Sequence, residues 1–571
     1  MKHRPPTERG AVQPLDAYHF YTEDWDDYVQ LYEAFEWEVP EQFNLADYLC
    51  DRWADRRGRV AVFGETHRGS VATYTYWQLR NDSNRLATYL HQQGIGRGDR
   101  IGVNLSQRPE TLVAHLAAWK LGAASVPLST KFGPDALEYR LDDCGAKVCL
   151  VDTMNAEAFA KVTDNLDELE EVITVGDGDH RNIGVPLVNV LPDMSREFNP
   201  VEQAPDDEAL IHYTSGTTGE PKGVRHGHRV VLGHLPTFVT TFCNVELSDD
   251  HLFWTPSEWA WILLPMMILP NLFYGKPLLA YSAPRFDPET ACRLLEKYGV
   301  THYFAPPTAL RMMASDGTVD QYDTSTIRVV ASAGEPVGQE LKEWVAEAFD
   351  APVQEAYGQT EVDSVAGTCT ALGAVREGTI GKATPGRTVR IVDPEDPPTP
   401  VESGEVGEFA VRRAGDPICF RDYLNQPEKT ARKVRDGWIL LGDLGSEDED
   451  GYFTFHGRMD DVIISSGYRI GPSEIEDTLA THSAVADAGV IGIPDEERGE
   501  VPKAFVVLRD GVEPSAVLVQ DLQQYVKERL AVYEYPREIE FIDELPMTVT
   551  DKLRRTDLRE REGSSGEQRE P

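Results

Sequence analysis

The chain has 571 residues, 41% hydrophobic and 26% charged, with 46 Gly and 37 Pro. That composition allows several domains with a sizeable core and excludes a disordered, fibrous or disulfide-stapled chain. Its 55 basic and 96 acidic residues leave a formal charge of −41, a field that repels nucleic acid and anionic lipid.

Residues 1–40 read as a polar, aromatic-spotted lead-in that lacks the apolar run of a signal peptide. From 41 onward, helical patterns alternate with short β-branched runs. The periodicity predicts an amphipathic helix over 76–94 closed by Gly94, a strand over 100–105 and a helix over 110–123. Further strands are expected over 125–129, 146–152 and 170–176. This alternation predicts an α/β fold with parallel sheets flanked by helices. The apolar run 259–274 is too short to span a bilayer and carries Pro265 and Pro270, so it reads as buried core. Alternation resumes after 206, with strand-like runs at 300–307 and 327–336. Between about 380 and 457, short strands broken by Gly and Pro predict a β-rich subdomain. Residues 41–458 thus form one large domain, and 459–560, where strands and helices mix, a small α+β domain. Residues 561–571 are too polar to pack and are expected to be disordered. The seven cysteines are scattered and form no CxxC pair, which points to a reducing cytoplasm rather than a secreted framework. Acidic clusters run along the whole chain, a pattern that fits a proteome adapted to molar salt, where screening acts over about 3 Å.

The strongest chemical signal is Tyr213 to Gly223, YTSGTTGEPKG, directly after the apolar run ALIHY. Its glycines, including Gly216 and Gly219, let backbone N–H groups converge on one anion. The hydroxyls of Thr214, Ser215, Thr217 and Thr218 and the Lys222 ammonium complete a polyanion cradle. The spacing GxxxxGK[ST] does not occur in it, so this is not a Walker A loop. His212, His226, His228 and His234 lie close in sequence, but no Cys or carboxylate completes a zinc pattern with them.

At full length the 213–223 motif resembles the phosphate loop of the adenylate-forming superfamily, which includes acyl-CoA synthetases, luciferases and peptide-synthetase adenylation domains. Further motifs of that family follow in its order. SAGEP at 332–336, with Gly334, Glu335 and Pro336, matches an adenine-contacting turn. EAYGQTE matches the next motif, through Glu355, Ala356, Tyr357, Gly358, Gln359, Thr360 and Glu361. The resemblance implies that Thr360 touches the α-phosphate and that Glu361 holds Mg²⁺, a hard cation suited to oxygen ligands. It implies that Asp443 accepts the ribose hydroxyls, that Arg458 contacts the ribose, and that Asp460 in GRMDD is a hinge. About that hinge a mobile C-terminal domain would swing between two orientations, one per half-reaction. Ser466, Gly467 and Tyr468 would then line a pantetheine tunnel, with Arg469 near the adenylate. Arg498, Lys527, Tyr535 and Arg537 match CoA contacts, and Lys552 would bridge the carboxylate and the α-phosphate. Asp551 replaces the usual Gly before that lysine; its charge would keep Lys552 protonated while weakening its hold on phosphate.

Within the superfamily the likeness is strongest to the medium-chain acyl-CoA synthetases, through DDVIISSGYRIGPSEIE, GEVPKAFVVL and YEYPREIEFIDELP. Trp261 matches their pocket-lining Trp, and Gly358 stands where acetate-specific relatives place a bulky Trp, which implies room for a longer acid. The implied reaction is attack of a carboxylate on the α-phosphorus of ATP, giving an acyl-adenylate and pyrophosphate. CoA thiol then displaces AMP. Acetyl- or propionyl-CoA synthesis, or a non-CoA acceptor, are the alternatives. The expected co-substrates are ATP and CoA with Mg²⁺, without nucleic acid or membrane insertion. The acid's identity and the oligomeric state stay open.

Overall fold

The structure is a computed structural model. It describes residues 12–567 apart from 56–57, 179–182, 215–220, 284, 336, 462, 466–467, 496–497, 531–534 and 549–552. Two large sheets form the first domain. One runs, edge to edge, through Lys382–Ala383, Asp363–Gly367, Val353–Gln359, Val329–Ala333, His302–Phe304, Phe253–Trp254, Leu278–Ser282, Val60–Thr66 and Val71–Thr75. Its central pairs are parallel and its outer pairs antiparallel. The other sheet is parallel through Ala124–Pro127, Arg100–Asn104, Val148–Asp152 and Glu171–Val175, and continues on its other side through the antiparallel strands Glu208–Thr214, Lys222–Gly227 and Asp422–Tyr423. The expected strands are therefore in place.

Local chemistry accounts for the helices. Tyr76–Gln92 opens on a capping box, in which the Thr75 and Gln78 side chains each bond the other's backbone N–H. Pro109–Leu121 starts with Pro at its first turn, ends on Gly122 in the left-handed region, and is buried on every face from Thr111 on. A helix apolar all round must lie inside, and this one joins residues of both sheets in the largest core cluster. Its Lys120 is enclosed by Asp51 at 2.8 Å and Asn84 at 2.6 Å. The run 259–274 is core from Leu263 on, with Leu264–Phe273 buried throughout, whereas Trp261 and Ile262 are half-buried. All seven cysteines are buried free thiols. Among the described residues no helix is long and apolar enough to cross a membrane.

The β-rich subdomain is an antiparallel sheet of Val389–Val392, Gly407–Arg412, Trp438–Glu447, Val434–Arg435 and Phe453–Arg458. After it, a sheet of Ile463–Ser465, Tyr468–Ile470, Val485–Asp495, Gly499–Leu508 and Glu538–Phe541 carries the helices Pro472–Ala480, Ala516–Lys527 and Arg555–Glu567. Asp460 sits in the short turn Met459–Asp461 that joins the two sheets.

Two expectations change. The lead-in is part of the core: Leu15, Tyr18, Phe20 and Leu31 are buried in the main cluster. Tyr28, Tyr32 and Trp37 donate to the carbonyls of Ala383, Arg387 and Gly386. Its aromatics are anchors on a polar strap. The polar tail, in turn, is helical through Glu567. Glu562 pairs with Lys503, and Arg561 with Glu540 at 3.0 Å, so ion pairs dock a segment that has too few apolar residues to dock itself. Residues 568–571 lie outside the described part.

Candidate active site

A cleft of about 2430 Å³ runs between the first domain and the C-terminal one. Hairpin register sets one end of it: Thr214 and Lys222 are cross-strand partners, and both line the cleft. The loop between them, with Ser215, Gly216, Thr217, Thr218 and Gly219, is outside the described residues. So are Pro336, Ser466, Gly467 and Lys552, and the side chains of Tyr468 and Arg469. Thr548 and Leu553, on either side of the segment holding Lys552, both line the cleft.

Glu361 is buried in this wall. Tyr423 donates to its Oε1 at 2.5 Å. Burial alone would raise its carboxyl, but Lys433, Tyr423 and Lys222 outweigh that and hold it below the ordinary value. Burial, with Glu361 beside it, pushes the Tyr423 phenol far up, so the phenol stays the donor. Lys222 reaches within 5.3 Å of the Tyr423 ring centroid. Burial lowers its ammonium, Glu361 opposes the shift, and Lys433, Lys429 and Arg458 add to it.

Asp443 lies on Trp438–Glu447 directly opposite Arg458 on the neighbouring strand. Only 3% exposed, it accepts at Oδ2 from Tyr357 and from Gln359, each at 2.6 Å. Its Oδ1 has no hydrogen-bond partner among the described residues; Arg458 Nε stands 3.5 Å away. A buried carboxylate oxygen without a donor is costly unless a ligand supplies one. Gln359 is in turn gripped by Lys433, which donates to its Oε1 at 2.9 Å.

Glu355 lines the cleft but its carboxylate is spent on structure. It accepts from the Val337 amide at 3.0 Å and pairs with Lys342 at 2.7 Å, fixing the turn that carries Gly334 and Glu335. Ala356 and Thr360 line the cleft as well, as do Gly334 and Glu335.

Gly358 needs a different explanation from the one its sequence context offered. A Cβ there would lie 1.7 Å from the Asp363 carbonyl oxygen and 2.6 Å from Ser364 Cα. The register shift between Tyr357 and Gly358 brings the neighbouring strand onto this residue. Glycine is required by backbone approach, so its presence does not measure the room left for an acyl chain. Trp261 does line the cleft, edge-on to Phe132 at 5.6 Å, whereas Trp259 is fully packed core. Met266 and Phe304 continue this apolar wall. Behind it, His212 bonds the Trp261 carbonyl at 3.2 Å. Burial pushes His212 down to about 3 and His226 to about 4, so neither is a charged group of the site.

Lys527, Tyr535 and Arg537 come together outside the cleft. The Tyr535 ring has Lys527 Nζ at 3.9 Å and the Arg537 guanidinium at 4.2 Å from its centroid. Arg498 is not in that cluster; its backbone N–H donates to Asp495. The sequence reading passed over Lys433 and Tyr423. A signal existed for the lysine: Lys429, Arg432, Lys433 and Arg435 fall within seven positions of a strongly acidic chain, and all four line the cleft.

Comparison with known proteins agrees with this geometry. A family model described as AMP-binding enzyme matches residues 50–424, and one for the AMP-binding enzyme C-terminal domain matches 474–552. An uncharacterized acyl-CoA ligase of Bacillus subtilis, YtcI, is 34% identical over 92% of this chain and 97% of its own. The mitochondrial acyl-coenzyme A synthetase ACSM3 of Rattus norvegicus is 32% identical over 95% of this chain and 94% of its own. The solved structure of the anthranilate CoA ligase AuaEII with anthranoyl-AMP superposes with a TM-score of 0.84 at 26% identity, covering 92% of this chain and 99% of that one.

Proposed function

We infer the activity from one premise: the chain belongs to the family of AMP-binding enzymes. It is an AMP-forming acyl-CoA synthetase that activates a carboxylic acid with ATP, releases pyrophosphate, and passes the acyl group to CoA. One observation carries this reading. A single cleft presents a buried carboxylate with one oxygen that lacks a hydrogen-bond donor among the described residues, a second carboxylate flanked by lysines, and an apolar wall ending at Trp261.

Adenylation brings two anions together, so the protein must supply positive charge and alignment rather than a covalent nucleophile. Lys222, with Lys429, Arg432 and Lys433 nearby, gives the cleft that charge in an otherwise acidic chain. Asp443 Oδ1 accepts the ribose hydroxyls, with Tyr357 and Gln359 holding the carboxylate still. Glu361, a hard oxygen donor kept ionised, suits Mg²⁺, which when bound neutralises charge on the ATP phosphates. Thr360 orients the α-phosphate, and Lys552 bridges it to the acid. The acyl chain, of medium length, lies along Trp261, Met266 and Phe304. After adenylation the C-terminal domain turns about Asp460 and brings Tyr468 and Arg469 to the adenylate, while Lys527, Tyr535, Arg537 and Arg498 hold the phosphates of CoA. Buried free thiols throughout suit the cytoplasm.

The test is pyrophosphate and AMP release over a panel of acids from acetate to octanoate and benzoate, with and without CoA. Pyrophosphate release should peak on medium-length acids, with thioester formed only when CoA is present. Lys552→Ala should abolish pyrophosphate release and leave thioester formation from supplied acyl-adenylate largely intact. No AMP from any acid would sink the reading; equal loss in both half-reactions would remove the role given to Lys552.

A further inference from the structure

Away from the cleft, Cys243, His251 and His302 meet in the core of the first domain. One ligand-capable atom from each lies within 4.8 Å of the other two, and none of the three residues is more than 1% exposed. They come from separate elements. Cys243 follows the π-helical turn Phe238–Phe242, His251 precedes the strand Phe253–Trp254, and His302 opens the strand His302–Phe304.

Surrounding hydrogen bonds fix the tautomer of His251 and bear on that of His302. His251 Nε2 is 2.7 Å from Asn271 Oδ1. The Asn271 amide nitrogen donates to the Met267 carbonyl at 2.8 Å, so its oxygen faces the imidazole and accepts. His251 therefore carries its proton on Nε2, and Nδ1 is a bare lone pair. His302 Nδ1 is 2.9 Å from Thr301 Oγ1. That hydroxyl gives its hydrogen to the Leu252 carbonyl at 3.2 Å and accepts from the Leu252 amide at 2.9 Å. With that hydrogen on the Leu252 carbonyl, the proton between His302 and Thr301 comes from His302 Nδ1, and Nε2 is a second lone pair. His251 Nδ1 and His302 Nε2 have no hydrogen-bond partner among the described residues.

A single thiol proton can answer only one of those two lone pairs, and a buried acceptor left alone is costly. A cation answers both, and the sulfur as well. We propose that Cys243 Sγ, His251 Nδ1 and His302 Nε2 form a zinc site that no part of the acyl-CoA synthetase reaction uses. One sulfur and two imidazole nitrogens are a donor set for zinc and not for magnesium. Asn271 and Thr301 are the outer partners that orient metal-binding imidazoles. Loading is a proton exchange without redox change: the S–H bond breaks, the proton leaves to solvent, and the thiolate pair forms the bond to zinc. Nearby cations are already paired, Arg328 with Glu246 at 2.9 Å and Asp250 at 2.6 Å, and Lys276 with Asp249 at 3.8 Å. The bound ion staples the π-helical turn to two strands whose Trp254 and Phe304 help build the cleft.

The experiment uses the full-length chain, produced and refolded with zinc, then with cobalt as the spectroscopic probe. The expected result is one zinc per chain and, with cobalt, a near-ultraviolet thiolate-to-metal band. Cys243→Ser should remove the band, Asn271→Ala should weaken binding about tenfold, and Cys292→Ser, at another buried thiol, should change neither. Absence of the cobalt band in the unaltered chain overturns the proposal without relying on any variant. Unchanged zinc affinity in a folded Cys243→Ser or His302→Gln protein overturns it as well.

Discussion

Replacing Lys433 with Met removes a residue that links both carboxylates of the cleft. Its Nζ donates to Gln359 Oε1 at 2.9 Å and to the Leu441 carbonyl at 3.0 Å, and Gln359 in turn holds Asp443. It is also the leading group that offsets burial at Glu361. A hydrogen bond from a charged donor contributes about 1.5–3 kcal/mol, and partial exposure brings the net loss to about 1–2 kcal/mol. With 1.4 kcal/mol equal to a factor of ten, kcat/KM for ATP should fall about tenfold at neutral pH. The pH effect has a definite sign. A carboxyl held below its ordinary value keeps its charge as pH drops through that value, and loses it only at the lower folded-state value. Without Lys433, burial is less opposed and the Glu361 carboxyl rises. The acid limb of the profile should then move to higher pH, in the window around and below 4.5, the ordinary value. Pyrophosphate release measured against pH for Lys433→Met and Lys433→Arg tests this, with Arg expected to restore part of the rate. Superimposable profiles with an unchanged kcat/KM would refute the reasoning.

Asp443→Asn preserves shape but loses the charge proposed to accept from the ribose. Affinity for ATP and AMP should drop about 10- to 100-fold by calorimetry, on the strength of charge-assisted hydrogen bonds, and an unchanged affinity would place the ribose elsewhere. Gly358→Ala should destabilise by about 1–3 kcal/mol, as overpacking does, because its Cβ meets the Asp363 carbonyl. Unaltered thermal unfolding would show that the strand can yield, and only then would Gly358→Trp be a probe of chain-length preference. Activity and melting temperature should both rise with KCl toward molar concentrations, since the charge of −41 is self-repelling until screened; a maximum at low salt would dismiss adaptation to brine.

Contiguous residues carry their own instructions, and these were legible before any coordinates. The amphipathic helix closed by Gly94, the helix over 110–123 and the strands that follow each express local periodicity and backbone preference. The 213–223 and 355–361 motifs were readable for a related reason: each sets particular residue types a few positions apart. Other features depend on which distant segments the fold brings together. The last turns of the helix Arg555–Glu567 run into the segment expected to be disordered, where Lys503 and Glu540 pair with Glu562 and Arg561, so the polar composition beyond 560 gave no hint of order. Gly358 answers to the carbonyl of a neighbouring strand, Glu355 to a turn in another loop, and Lys433 to two carboxylates from separate motifs. Cys243, His251 and His302 share no spacing pattern and converge only through the pairing of strands. Local propensity reaches a few residues along the chain, whereas electrostatics, close approach and ligand geometry act through space, across contacts that only the folded sheets create.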